Sequence, residues 1–169
     1  MKTIYLFDVD GTLTPAKSII DHEFAKTFYN WQKDKEVYIV SGGSFPRLID
    51  QLTRKIIDRT KGVFSCMGNA HYKKIKDIDG YSSWALQYKN KFTVAKPKLF
   101  FSELERCVMN SDYHTNVGRH YEERTGMVNF SIVGLDATPE QRKEYAAYDK
   151  QHKEREQIVK KLSSKYSKL

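Results

Sequence analysis

Cysteine is scarce in this chain. Two occur in 169 residues, Cys66 and Cys107. Neither stands at a metal-ligand spacing, so a zinc or cluster site on cysteine is not expected. A reducing, cytoplasmic setting is the default. Long apolar runs are also missing. No stretch can span a bilayer, and no signal-peptide pattern follows Met1, so a soluble chain without a membrane partner is expected. There is no internal repeat and no low-complexity tract. A dense basic arm is lacking too, although the net charge is +8. Scattered basic residues point to an anionic partner of small size, such as a phosphorylated metabolite, rather than to nucleic acid.

What is present is material for a core. Forty per cent of the residues are hydrophobic and 13% are aromatic, too many for a disordered chain. The length suits one ordinary domain or two small ones.

The chain is organised around Tyr5-Leu6-Phe7-Asp8-Val9-Asp10-Gly11-Thr12-Leu13-Thr14. An apolar run ends in two carboxylates two residues apart. In a strand, Asp8 and Asp10 share one face because side chains alternate. Open α/β sheets place their chemistry at the carboxyl ends of strands. Two acids there suit Mg²⁺, which favours carboxylate, water and phosphate oxygen. Gly11 permits a turn that most residues resist, and the hydroxyls of Thr12 and Thr14 can settle it. A plain D-x-D-G turn or a calcium loop shares parts of this pattern.

Further along, Asp21 can cap a helix reaching about Gln32, with Phe24, Phe28 and Trp31 on one face. Glu36 to Val40 reads as a strand and ends in Ser41-Gly42-Gly43-Ser44. A helix follows from about Phe45 to Asp58, with Leu48, Ile49, Leu52 and Ile56 inward. This βαβα order predicts a parallel sheet with right-handed crossovers. The glycine pair can present backbone N–H groups to an anion, and a plain tight turn would look the same. Ser44 can cap the helix. Gly62 to Cys66 is a third strand.

Asp77 to Ser83 reads as a linker and places a domain boundary there. Trp84 to Phe92 is ambiguous. Pro97 to Asn110 reads as a helix. His114–Glu123 and Met127–Val133 read as two antiparallel strands, the second alternating Val128, Phe130 and Ile132 with polar residues. Thr138-Pro139-Glu140-Gln141 is a capping box. The helix it starts is expected to run to about Tyr166.

Asp8-Val9-Asp10-Gly11-Thr12-Leu13-Thr14 resembles the first motif of the haloacid-dehalogenase superfamily of phosphotransferases. Val40-Ser41-Gly42-Gly43-Ser44 matches its second motif. Glu123-Arg124-Thr125-Gly126-Met127-Val128-Asn129 and Pro139-Glu140-Gln141-Arg142 are similar to the cap domain of eukaryotic-type phosphomannomutases. The resemblance covers nearly the whole chain. It implies a partial Rossmann-like parallel-sheet core over residues 1–80, and an α+β cap on an antiparallel sheet over residues 81–169. It also implies interconversion of mannose 6-phosphate and mannose 1-phosphate through an aspartyl-phosphate and a bisphosphorylated sugar. Asp8 would be the nucleophile and Asp10 the general acid/base. Mg²⁺ would sit on Asp8 and Asp10. Lys17, Ser41, Gly42, Gly43, Ser44, Arg124 and Arg142 would hold phosphate. A phosphorylated hexose would be the partner, and a homodimer would form through the cap.

Four departures accompany the resemblance. Lys17 stands where the family has an arginine, and Leu135 where it has another. Cys66-Met67-Gly68 replaces Glu-Asn-Gly. The lysine and the acidic loop that complete such a site have no counterpart here, so the chain reads as incomplete at its carboxyl end. A sugar-phosphate phosphatase of the same superfamily is the second enzyme reading. A binding module or non-catalytic fragment is the third.

Overall fold

The computed structural model describes residues 2–76, 78 and 80–166. The chain divides into two compact units, residues 1–91 with 125–127, and residues 92–124 with 128–169.

The first unit begins with β1 (Ile4–Phe7), α1 (His22–Trp31), β2 (Glu36–Val40), α2 (Phe45–Arg59) and β3 (Gly62–Ser65). β1 pairs parallel with β2, and β2 with β3. Two strands extend the sheet, β4 (Ala70–Lys76) and β5 (Ser82–Lys89). They form an antiparallel hairpin beside β3, so the sheet order is β1-β2-β3-β4-β5. The ambiguous stretch at Trp84 is therefore a strand. It carries residues 82–89 into the sheet, and the first unit runs past residue 80 to Lys91. Asp77 and Asp79, within the expected linker, lie outside the described residues.

Local chemistry explains these elements. Asp21 caps α1 by accepting the Phe24 N–H at 2.9 Å. Phe28 is buried and meets Phe7 edge-on at 5.2 Å, while Trp31 meets Tyr5 at 5.0 Å. Leu48, Leu52 and Ile56 turn inward from α2 against Val37 and Ile39 of β2. These contacts all lie on one face of the sheet. On the opposite face of β1, Ile4 and Leu6 are 61% and 59% exposed.

α2 is not continuous. Thr53 has φ 70° and ψ 149°, and the chain kinks there.

The second unit contains α3 (Pro97–Met109), β6 (Tyr121–Arg124), β7 (Met127–Phe130), α4 (Pro139–His152) and α5 (Glu154–Lys165). β6 and β7 form a two-stranded sheet. Both strands are shorter than the sequence pattern implies. Before β6 the Val117 N–H still bonds the Val133 carbonyl at 3.0 Å, outside the regular ladder. Thr138 and Gln141 form the expected capping box at the start of α4. The single long helix expected to Tyr166 is broken at Lys153, whose φ is 56°.

Candidate active site

Asp8 is the first residue beyond β1, and Asp10 follows after fully buried Val9. Burial of Val9 turns both acids to the exposed side. Between them the Val9 carbonyl accepts the N–H groups of Thr12, Leu13 and Thr14 at 2.9–3.1 Å. Gly11 completes the turn at φ 83°, its N–H on the Thr14 carbonyl at 2.7 Å. The turn is thus settled by backbone, not by the threonine hydroxyls. Thr14 Oγ1 is buried and has no hydrogen-bond partner among the described residues.

Asp10 Oδ1 accepts two N–H bonds. One is from the Lys17 backbone at 2.8 Å, and the other is from Gln51 Nε2 at 3.0 Å. Lys17 itself has φ 61°, which bends the loop back over Asp10.

Phe7 stands opposite Ile39, and Val40 opposite Phe64. The carboxyl ends of the three parallel strands therefore adjoin, each one residue beyond the last. Asp8, Ser41 and Cys66 are the first residues past these ends. Ser41 is buried, and its Oγ accepts the Gly43 N–H at 3.2 Å. Its carbonyl accepts the Met67 N–H, and the Gly43 carbonyl accepts the Cys66 N–H, both at 2.9 Å. The loop Ser41–Ser44 is thereby clamped to the turn after β3. One of its N–H groups, that of Gly43, faces inward to Ser41. Ser44 occupies the N-cap of α2, yet its hydroxyl makes no capping bond. Met67 Sδ lies 3.4 Å from where a Cβ on Gly42 would stand, so the thioether forms a wall beside the glycine pair.

The two arginines belong to the second unit. Arg124 ends β6 and pairs with Glu122, Nη2 to Oε2 at 2.7 Å. Arg142 donates from Nε to the Ala137 carbonyl at 3.1 Å and from Nη2 to the Leu135 carbonyl. It secures the loop before α4 and, with Asn129 and Ser131, lines an open cavity of about 640 Å³. So Asp8, Asp10, Lys17 and Ser41–Ser44 come together at one end of the first sheet. Arg124 and Arg142 are held by separate partners in the second unit.

Asp8 and Asp10 fit Mg²⁺ in kind, since the ion accepts one or two carboxylates and fills its remaining positions with water and phosphate. Among the described residues no group of three or more acids, histidines or cysteines gathers to hold a metal.

Sequence reasoning missed Gln51 and Met67. Gln51 did carry a signal, a polar residue three positions from Leu48 on the inward stripe of α2. Met67 carries no such signal beyond its place in Cys66-Met67-Gly68.

The sequence profile of the eukaryotic phosphomannomutase family matches residues 24–169. The phosphomannomutase of Saccharomyces cerevisiae is 31% identical over 168 residues, covering 98% of this chain and 63% of that protein. That of Drosophila melanogaster is 31% identical over 166 residues, with 97% and 63% covered. This chain thus spans about 63% of the length of these curated relatives. Among solved structures, an IMP-bound IMP-nucleotidase of Plasmodium falciparum has the same fold. It superposes with TM-score 0.54 at 14% identity, over 99% of this chain and 48% of that one. The adjoining strand ends, the paired acids and the family profile agree: the chain belongs to the eukaryotic phosphomannomutase family.

Proposed function

We propose that this chain carries the nucleophilic half of a phosphomannomutase site, moving a phosphoryl group between O1 and O6 of mannose. The observation that carries the reading is that Asp8, Asp10 and Ser41 directly follow two adjoining parallel strands, β1 and β2. A carboxylate oxygen of Asp8 attacks phosphorus, and the sugar oxygen leaves with a proton from Asp10. The reverse transfer returns the phosphoryl group to the other sugar hydroxyl, whose proton Asp10 takes up. Ser41 and the glycine pair hold the transferring group by short polar contacts. Lys17 adds positive charge at the loop. Asp8 and Asp10 would hold Mg²⁺, which would supply charge neutralisation for the phosphate. Arg124 and Arg142 serve the distal phosphate through planar guanidinium forks. Mannose 1-phosphate made this way supplies GDP-mannose synthesis in the cytoplasm, from a homodimer formed through the second unit.

A second reading has one supporting observation. Leu135 brings no charge, and two Arg142 donors are engaged by main-chain carbonyls. A poorly held distal phosphate favours release of the sugar and hydrolysis by water, which makes a sugar-phosphate phosphatase.

Phosphorus NMR separates the two. The chain is incubated with Mg²⁺, mannose 1-phosphate and a trace of the sugar bisphosphate, beside an Asp8→Asn control. Mannose 6-phosphate that vanishes in the control supports the mutase. Free phosphate alone, also lost in the control, moves the assignment to phosphatase. No conversion sinks both.

A further inference from the structure

We infer that Gln51 is a positioning residue for Asp10, delivered by the kinked helix α2. The inference rests on the acid/base role proposed above for Asp10.

The backbone comes first. Thr53 holds φ 70° and ψ 149° inside α2, a region that a β-branched residue enters only under strain. Two residues earlier, the Gln51 carbonyl accepts the Ile20 N–H at 2.8 Å. The kinked helix is thus bonded to the segment that leaves the Asp10 loop.

The side chain comes second. Gln51 is 4% exposed. Its Nε2 donates to Asp10 Oδ1 at 3.0 Å and to the Ser18 carbonyl at 3.3 Å. Both partners are acceptors only, so the amide can face them one way round, with its two N–H bonds outward. Its Oε1 is then buried and, among the described residues, has no partner. An amide oxygen left without a hydrogen bond keeps its full desolvation cost. A leucine or methionine here would carry no such penalty. Packing alone is therefore a poor account of glutamine at this position, whereas its two donors have a clear use.

That use is orientation. Asp10 is exposed, and an exposed carboxylate turns freely about its Cβ–Cγ bond. Two N–H bonds converge on Oδ1, from Gln51 and from the Lys17 backbone. They fix the rotation and leave Oδ2 as the oxygen that exchanges a proton with the sugar. Proton transfer needs that oxygen within hydrogen-bond reach of the reacting group, so a loose rotor loses turnover rather than binding.

The test has two arms on the full chain. In the first, exchange of the Gln51 side-chain amide with water is followed by ¹⁵N NMR. Protection in the wild type should fall about 10-fold in Asp10→Ala and persist in Asp8→Ala. In the second, Gln51→Met and Gln51→Glu are assayed with Mg²⁺, mannose 1-phosphate and the bisphosphate. Gln51→Met should lower kcat about 10-fold with KM within about twofold, and Gln51→Glu should not restore it. Unchanged amide exchange in Asp10→Ala overturns the inference. So does wild-type kcat in a folded Gln51→Met or Gln51→Glu. If the wild type is inactive while the exchange result holds, the phosphotransfer reading falls and the Gln51–Asp10 contact stands.

Discussion

Asp149 and Arg155 are bonded twice across the break between α4 and α5. The Arg155 backbone N–H reaches Asp149 Oδ1 at 2.8 Å, and its Nε reaches Oδ2 at 2.6 Å. Asp149 thus acts as the cap that α5 lacks at its own N-cap position, Lys153. Burial pushes its carboxyl upward, but the two Arg155 bonds and the nearby positive charges outweigh burial and hold it below the usual range. A depressed carboxylate stabilises the fold fully above its unfolded value near 4 and loses that contribution as pH falls through the folded value. Asp149→Ala should lower stability by about 1–2 kcal/mol at neutral pH. Urea titration followed by circular dichroism measures it, and an unchanged midpoint would remove the cap role.

Lys153 itself offers the opposite change. Its φ of 56° is left-handed, where glycine is at ease and lysine is not. Lys153→Gly should raise stability by about 0.5–1 kcal/mol in the same titration, because Lys153 sits at the junction and not within a helix.

Glu103 ties α3 to α5 within the second unit. It is buried, and Lys161 and Lys165 each approach it at 2.7 Å. Their hydrogen bonds bring its carboxyl down to about 2, against the upward push of burial. The pairing is complete above the unfolded value near 4.3 and is lost as pH falls toward 2. Glu103→Gln should flatten the pH dependence of unfolding between about 4.5 and 2, and lower neutral stability by about 2 kcal/mol. Acid titration of wild type and variant side by side gives the comparison.

Gly62 has no room for a side chain. A Cβ there would stand 2.9 Å from His71 Nε2 and 3.0 Å from the Tyr38 ring. Both neighbours are on strands flanking β3, so neither withdraws easily. Gly62→Ala should destabilise by about 1–3 kcal/mol, read as a lowered Tm. His71 stacks on Phe64 at 4.3 Å. Burial first, then the charge of Lys73, lowers its pKa. A lowered histidine stabilises the fold above its unfolded value near 6.5 and loses that contribution as pH falls further. Wild-type Tm should therefore drop between pH 6.5 and 5, and His71→Phe should drop less.

The parts of the fold visible in sequence were those with local causes. Asp21 capping α1, the Leu48-Leu52-Ile56 stripe and the Thr138–Gln141 box each depend on neighbours within a few residues. The paired acids of the candidate site stand out in the sequence for the same reason, since Asp8 and Asp10 follow one strand. The breaks were not. Thr53 and Lys153 carry no glycine or proline to announce them, and the Asp149–Arg155 staple looks like ordinary helix charge. Trp84 resolved into a strand because its indole reaches Asp58 at 2.8 Å and its ring packs near Phe45 at 5.3 Å, partners about 26 and 39 residues away. Arg142 looked like a phosphate ligand by position, and only the folded loop reveals the carbonyls that occupy part of its fork.

β1 is a four-residue strand, and Asp8 and Asp10 directly follow it. The ladder that joins β1 to β2, from Ile4 beside Glu36 to Phe7 beside Ile39, therefore carries both acids, and loosening that one ladder would release them together.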